Sequence, residues 1–369
     1  MADLFLSAFG PGLGSGRALR TYTCVRALAA LGPVDFAYLP HEAEEPSPEY
    51  AAIPGVTFHR IDQSRGLRRL AIFAGQLLRG VPEVSCRGLG PELIEAGERL
   101  ARQPGRGRIV AGDEIAALAL TRVGRERPVI YNAHNLEYER ITDSRWRRAQ
   151  MRAFERRLLG RVAESWMVSH PDVEGARALC PRARLRYVPN VVDVAAIEPV
   201  GPAGRGERIL MVGDFTYAPN RSGRDVLCGE ILPRVRQQLP QARVTLVGRG
   251  LDGWRPEAEG VDVAGFVPRL ADAYAAADCV VVPLVEGAGT PLKFVEALAY
   301  GMPVVATPLA ARGLDVEPGV HFRLGRDPGE LADALVATLR DGGAGLGAAA
   351  RQLAEREYSI EALERRIAA

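Results

Sequence analysis

Short runs of branched apolar residues recur along the chain. Between them lie longer stretches in which apolar positions return every three or four residues. The first pattern predicts strands and the second predicts helices. In the first half the runs predict strands at 4–9, 34–38, 108–111, 129–132, 165–168 and 185–188. In the second half they predict strands at 209–213, 244–248, 261–264, 279–283, 304–306 and 322–324. Helical spacing fills the gaps, as over 17–31, 146–162, 221–239, 291–300 and 328–339. Strand–helix–strand alternation predicts parallel sheets with helices on both faces. Two such sets predict an α/β protein of two doubly wound, Rossmann-like domains. The Gly- and Pro-rich stretch IEPVGPAGRGER, from Ile197 to Arg208, precedes a fresh strand and marks the boundary. The domains are therefore expected at 1–196 and 197–350. Residues 351–369 follow a Gly/Ala-rich loop, GGAGLGAAA, and are expected to form a separate helix packing back on the first domain.

A length of 369 residues suffices for two cores, and 47% apolar with 25% charged residues is ordinary for a globular protein. The opening MADLFLSAFG lacks a basic n-region and reads as a buried strand rather than a signal peptide. The chain has no uncharged apolar run of about 18 residues, so a cytoplasmic protein without a membrane span is expected. The five cysteines are scattered, with no CxxC, and read as small buried hydrophobes in a reducing compartment. His and Cys show no metal-ligand spacing, so no metal site is expected.

The net charge of +2 hides an asymmetry. Residues 1–190 carry 28 Arg against 21 acids, while residues 191–369 carry 19 basic residues against 24 acids. A basic half suits an anionic partner, although arginine-rich solvated helices account for it equally well. The runs RWRRAQMRAFERRLLGR (Arg145 to Arg161) and LRRLAIFAGQLLRGV (Leu67 to Val81) are either such faces or peripheral contacts with an anionic membrane. No nucleic-acid partner is expected.

Of 47 basic side chains only one is lysine: Lys293, in EGAGTPLKFVEALAYGMPVVAT. Thr290 is expected to cap a helix that begins at Pro291 and ends before Gly301 and Pro303. Lys293 then stands where a capping box places Glu or Gln. A cation there opposes the helix dipole by about 0.3–1 kcal/mol. A Lys293–Glu296 ion pair is worth only about 0.2–0.5 kcal/mol, in the poorer orientation. A bound anion removes the conflict. Gly287 and Gly289 let backbone approach it, and Glu296, one turn deeper, is placed to accept bonds from two ribose hydroxyls. A nucleotide sugar, another phosphate ligand and a structural ion pair all remain open readings of these residues.

In the first half, GPGLGSGR (Gly10 to Arg17) follows a strand and opens a helix. Arg17 stands where the third glycine of a dinucleotide fingerprint belongs, yet Asp35 keeps an NAD-type oxidoreductase open, with its cofactor at Gly10–Gly16. His134 lies at a strand end, where open α/β sheets place ligands, and is either structural or functional.

Taken in order, ILMVGDFTYAPN, RVTLVGRG, GFVPRLADAYAAADCVVVPL and the Lys293 stretch resemble the nucleotide-binding domain of GT-B glycosyltransferases. The resemblance is to the retaining family 4 group in particular, and runs from about Arg186 to Arg340. VPNVVD upstream is similar to the family's Val-Pro-Asn-Gly-Val-Asp, with Val191 in the Gly place. The resemblance implies a GT-B architecture, two Rossmann-like domains facing across a cleft. It implies a UDP- or GDP-type sugar donor, no further cofactor, and transfer with retained configuration to a glycan or lipid-linked acceptor. Capsule, exopolysaccharide or other cell-envelope assembly is the implied setting.

Residue by residue, Glu296 matches the second acid of the family's E-x7-E motif, which holds the donor ribose. Ala288 stands where the first acid belongs, as in a G-x-G-T-x-x-K-x-x-E variant, with Glu286 two residues back as a substitute. Gly289, Thr290, Pro291 and Leu292 would line the helix mouth where Lys293 meets the diphosphate. In the loop after the domain's first strand, beyond Gly213, Asp214 stands where many members have Arg and Asn220 near the usual Lys. Lys293 would then supply the charge compensation, with Arg221 and Arg224 as neighbours. Arg249 lies in the second matching segment, and Phe266 and Val267 are implied at the nucleobase. In the first domain Gly14 and Arg17 are implied near the donor phosphates or the acceptor. His134 is implied at the transferred sugar, with Asn135 and Glu137 toward the acceptor. Lys293 and His134 are the catalytic candidates. The departures at Ala288 and Asp214 also suit a catalytically inactive, glycan-binding relative.

Overall fold

The computed structural model describes residues 1–63, 66–287 and 290–369. They pack as two units, 1–190 with 363–369, and 191–362. The sequence reading set its boundary six residues later, after Ala196, and took residues 351–369 as one separate piece.

The first unit is built on a parallel sheet of seven strands: β1 (Ala2–Ser7), β2 (Val34–Tyr38), β3 (Val56–Arg60), β4 (Arg106–Ala111), β5 (Val129–Asn132), β6 (Glu164–Met167) and β7 (Leu185–Tyr187). Their order is β3-β2-β1-β4-β5-β6-β7. Leu4 and Leu6 of β1 face one helical layer, with Leu93, Leu100 and Ile115. Phe5 faces the other way, onto Phe36 with ring centroids 5.4 Å apart. A strand buried on both faces needs an unbroken apolar run, which is why β1 was legible. Strand β3 was not foreseen. It is an edge strand paired only with β2, and its VTFHR side chains are only partly buried or exposed, so the apolar signal is diluted. At the chain's end, the carbonyls of Arg366 and Ile367 accept bonds from Arg186 (2.8 Å) and Arg108 (3.2 Å), and the Arg366 guanidinium lies 5.0 Å over the Tyr187 ring.

The second unit repeats the plan with six parallel strands: β8 (Arg208–Val212), β9 (Arg243–Val247), β10 (Val261–Gly265), β11 (Cys279–Val282), β12 (Val304–Ala306) and β13 (Arg323–Leu324), in the order β10-β9-β8-β11-β12-β13. Ile209 and Met211 pack with Val235 and Leu335, while Leu210 packs with Tyr274, Phe294 and Leu298. The expected helix at 221–239 begins at Ala218 and runs to Val226, followed by a π turn over Leu227–Ile231 and a helix over Leu232–Gln238. Pro233 has no N–H to give, and the ladder widens just before it. The expected loop GGAGLGAAA is helical from Ala344, in a helix that runs to Glu357. A Cβ on Gly347 would lie 2.2 Å from the Gly301 carbonyl oxygen, so this glycine serves close helix packing rather than a turn.

Both strand orders reverse direction beside the first strand of their sheet, between β1 and β4 and between β8 and β11. In open α/β sheets the crevice for ligands lies there, beyond the carboxyl ends of the strands.

Candidate functional site

In the second unit the residues at that reversal are the loop after β8 and the helix after β11. The helix spans Leu292–Ala299, with Pro291 as its N-cap (ψ 109°) and no side chain capping it. This corrects the expectation of Thr290 as cap and Pro291 as first helical residue. The extended ψ turns the Pro291 carbonyl toward the first turn, where it accepts from the Phe294 amide at 2.9 Å. Thr290 is left one residue too far back. Its hydroxyl is buried and has no partner among the described residues. Gly289 and Ala288, both singled out from the sequence, lie outside the described residues.

Lys293 falls at the second helical position. Its ammonium donates to Asn220 Oδ1, and the same amide donates through Nδ2 to the Asp214 carbonyl at 2.7 Å. Asn220 thus brings no charge of its own but holds the lysine beside the β8 loop. A Cβ on Gly213 would lie 3.2 Å from Lys293 Nζ, which measures how closely that loop passes. Burial pulls the ammonium down from 10.5 to about 8, and the nearby Asp214 carboxylate offsets part of that. Among the described residues Lys293 and Glu296 do not pair with each other.

Asp214 is partly buried, which alone would raise its carboxyl. The Thr216 hydroxyl (2.6 Å) and amide (3.0 Å) and the Arg249 guanidinium (2.8 Å) hold it below the usual range. A second cation, Arg249, therefore reaches the place where Asp214 replaces the expected arginine. It arrives from the loop after β9, locked by the Phe215 amide donating to the Arg249 carbonyl at 2.8 Å. Gly248 makes this contact feasible, with φ +140° and a Cβ that would fall 1.7 Å from the Gly213 carbonyl oxygen. Arg221 is committed to the Phe215 and Thr216 carbonyls. Arg224 is buried, bound to Asp225 and stacked 4.3 Å over the Trp254 ring. Glu286 accepts from the Ser222 hydroxyl.

Glu296 lies one helical turn from Lys293. Burial pushes its carboxyl up to about 7, against the opposing bond from the Tyr274 hydroxyl at 3.4 Å. Tyr274 stacks on Tyr300 with centroids 4.1 Å apart. The sequence reading missed Tyr274, because in ADAYAAAD its ring only continues an apolar face and nothing marks where its hydroxyl points. At the end of β10, Gly265 (φ +65°) sets Phe266 74% exposed while Val267 tucks against the core. The structure thus brings Gly213, Asp214, Asn220, Arg249 and Lys293 together, places Glu296 one turn along, and leaves Phe266 presented to solvent.

In the first unit the corresponding reversal carries the β1 loop, the β4 end and His134. Gly10 is required by packing, since a Cβ there would lie 1.9 Å from the Ala43 carbonyl oxygen. Gly14 is exposed, and a side chain on it would meet open space. Ser15 caps the Gly16–Leu31 helix by accepting from the Ala18 amide at 3.2 Å. Arg17 follows, its guanidinium 4.0 Å over the Phe9 ring. Arg20, which drew no notice in the sequence, is 2% exposed. It donates to the Val188 carbonyl (2.9 Å) and Asn190 Oδ1 (3.2 Å), while its Nε and Nη2 have no partner among the described residues.

Burial, with Arg20 and Arg17 nearby, holds His134 well below 6.5, so the ring is neutral. Its Nε2 lies 2.8 Å from the Gly112 carbonyl oxygen and must carry the hydrogen, which leaves Nδ1 as an acceptor. Burial also raises three acids of this unit, Asp113 among them. Burial raises Glu114 to about 7 and Glu155 to about 8, the latter despite accepting from the Glu137 (2.7 Å) and Tyr138 (3.0 Å) amides. Asn135 donates to Glu137 (3.4 Å), which is also paired with Arg140 at 3.2 Å. Asp35 lies opposite Leu4, near the start of β2, where it binds His59 (2.7 Å) and Arg106. A ribose-binding acid of a dinucleotide fold belongs at the other end of that strand, so the NAD reading loses its acid.

Comparison with known proteins bears on the fold and on the second unit. Residues 206–341 match the family model described as Glycosyl transferases group 1. Over 232 residues the chain is 32% identical to the phosphatidyl-myo-inositol mannosyltransferase of Mycobacterium leprae, covering 58% of this chain and 59% of that one. The same-named protein of Mycolicibacterium smegmatis is 28% identical, over 58% and 57% of the two chains. The chain thus matches less than two thirds of the length of these curated relatives. Among solved structures, sucrose-phosphate synthase from Thermosynechococcus elongatus superposes with a TM-score of 0.71 at 20% identity, over 100% of this chain and 97% of that one. Anabaena HepE in complex with UDP gives 0.70 at 16%, over 100% and 98%. These likenesses show the fold, which is GT-B with two Rossmann-like domains. The chain thus has the GT-B fold, and its second unit carries a domain that matches the Glycosyl transferases group 1 model.

Proposed function

We propose that the protein moves a hexosyl group from a nucleoside-diphosphate sugar to a glycan or lipid-linked acceptor, with the anomeric configuration retained. The observation that supports this best is Lys293. A half-buried ammonium stands at an uncapped helix N-terminus, at the sheet's reversal, held by a neutral amide rather than by a carboxylate. The site is an anion receptor whose charge is unsatisfied until a diphosphate arrives. Glu296 would take the ribose hydroxyls, and Phe266 would offer its exposed ring to the base. As the glycosidic bond breaks, negative charge grows on the leaving diphosphate. Lys293, with Arg249 and the helix N–H groups, would stabilise that charge where it develops. His134, neutral and with a free acceptor on Nδ1, suits a hydrogen bond from a hydroxyl of the sugar or acceptor. No protein nucleophile is assigned.

The names of similar proteins suggest the substrates. HepE was solved with UDP and with UDP-glucose, and the mycobacterial relatives are named for mannosyl transfer to phosphatidyl-myo-inositol. Cell-envelope or exopolysaccharide assembly, on the cytoplasmic side, is the corresponding setting. The test is a screen of UDP- and GDP-sugars for release of nucleoside diphosphate, with anomeric protons of the product read by NMR. Release with an α-linked product from an α-linked donor supports the proposal. Tight binding of UDP or GDP without turnover on any donor and acceptor would support the inactive-relative reading instead.

A further inference from the structure

Two arginine-rich helices drew notice in the sequence, and the structure separates them. The Arg145–Leu159 helix buries Met151, Phe154, Leu158 and Leu159 in the core, and Trp146 in its first turn, 71% exposed, is its single large apolar side chain in water among solvated cations. The Leu67–Leu78 helix is built the other way. It packs Ile72 and Phe73 against the core, yet no residue of it is fully buried. Its solvent side carries Leu67, Leu70, Ala71, Ala74, Leu77 and Leu78, all exposed, at the spacing of one helical stripe. Leu67, Leu70 and Leu78 are 85%, 62% and 90% exposed, and Val84 on the adjoining Glu83–Arg87 helix is 60% exposed. An ordinary surface helix is polar on that side. A contiguous apolar stripe facing water marks a contact surface.

We infer that this helix docks the protein on an anionic lipid bilayer, its leucines entering the interface. Three observations select lipid as the occupant. Cations flank the stripe at both ends, with Arg68 and Arg69 in its first turn and Arg79 just after it, which is the arrangement that meets lipid phosphates. Among the described residues Arg68 and the neighbouring Arg87 hold exposed ion pairs, with Glu95 and Glu83, which lipid phosphate can replace at little loss. Beside the stripe lies an open groove of about 560 Å³, walled by Leu67, Leu70, Phe73 and Cys86 and rimmed by Arg69 and Arg87. Apolar walls with cations at the rim fit an acyl chain leading away from a phosphate. A second copy of the chain is disfavoured, since a self-complementary contact would set these arginines against one another. Among the described residues no helix is long and apolar enough to cross a membrane, so this is surface docking.

The test is co-sedimentation of the full chain with vesicles of phosphatidylcholine alone and of phosphatidylcholine rich in phosphatidylglycerol. It needs no sugar donor, so its result is independent of the transferase assignment. The wild type should bind the anionic vesicles, more weakly as salt rises. The triple variant Leu67→Gln/Leu70→Gln/Leu78→Gln should lose about tenfold in partition per leucine. The double variant Arg147→Gln/Arg148→Gln, on the other helix, should change it by less than about threefold. Melting curves check that the variants fold. If the triple variant does not, Leu78→Trp gives a second readout, a blue-shifted emission on anionic vesicles. No binding by the wild type, equal binding by the folded triple variant, no blue shift, or a wild-type dimer that the triple variant converts to monomer would each overturn the inference.

Discussion

The lysine in the second unit makes an unusual demand of stability. Its folded pKa of about 8 lies below the ordinary 10.5, a gap equivalent to roughly 3 kcal/mol of disfavoured charge. Because the folded value is lowered, the unfolded chain holds this proton more tightly. Stability therefore rises with pH between about 8 and 10.5, and the penalty is complete below about 8. Lys293→Met keeps the aliphatic volume and removes the charge. It also leaves Asn220 Oδ1 without its donor, a loss of about 1–2 kcal/mol. The ligand-free variant should therefore be more stable than wild type by about 1–2 kcal/mol at pH 7, and its alkaline rise in stability should vanish. Its turnover should nevertheless fall by about 100- to 1,000-fold, the scale of losing one donor to a developing anion. Denaturant titration of the free protein across pH, with nucleoside diphosphate release as the activity assay, reads both. A Lys293→Met protein that is less stable than wild type and turns over normally would refute the reasoning, for the lysine would then be a structural group.

Other outcomes follow from the same geometry. The pH profile of kcat/KM for the donor should be bell-shaped. It should fall below about 7, where Glu296 gains a proton and can no longer accept from two hydroxyls, and above about 8, where Lys293 loses its charge; Glu296→Gln should erase the acid limb. Gly248→Ala should unfold or severely destabilise the second unit, by more than about 3 kcal/mol, since its methyl would collide with the Gly213 carbonyl; a melting curve within a degree or so of wild type would contradict this. The His134 ring protons should show no NMR titration between about pH 8 and 6.5, and His134→Ala should lower turnover about 10- to 100-fold without moving either limb of the profile.

Periodicity alone gave twelve of the thirteen strands, most plainly the central parallel ones, which are apolar on both faces; the edge strands β7, β10 and β13 kept enough apolar residues to be read as well. The exception, β3, has a partly wet edge that breaks the pattern. Lys293 and Glu296 were legible because each conflicts with its local surroundings, a cation at a positive helix end and an acid on an apolar helix. What tertiary structure alone decided is who meets them. Asn220 reads as a replacement for a lost lysine, yet the fold makes it the hand that holds the remaining one. Arg249 reads as a loop residue, and a glycine at φ +140° lets it reach Asp214. Tyr274 reads as core, and its hydroxyl finds Glu296. The Leu67–Leu78 stripe reads as an amphipathic helix, and only packing shows that apolar residues face both ways. A sequence sets which residues are apolar, charged or conformationally free. Which side chains then share a few ångströms depends on strand order and chain crossings, over separations far longer than any local period.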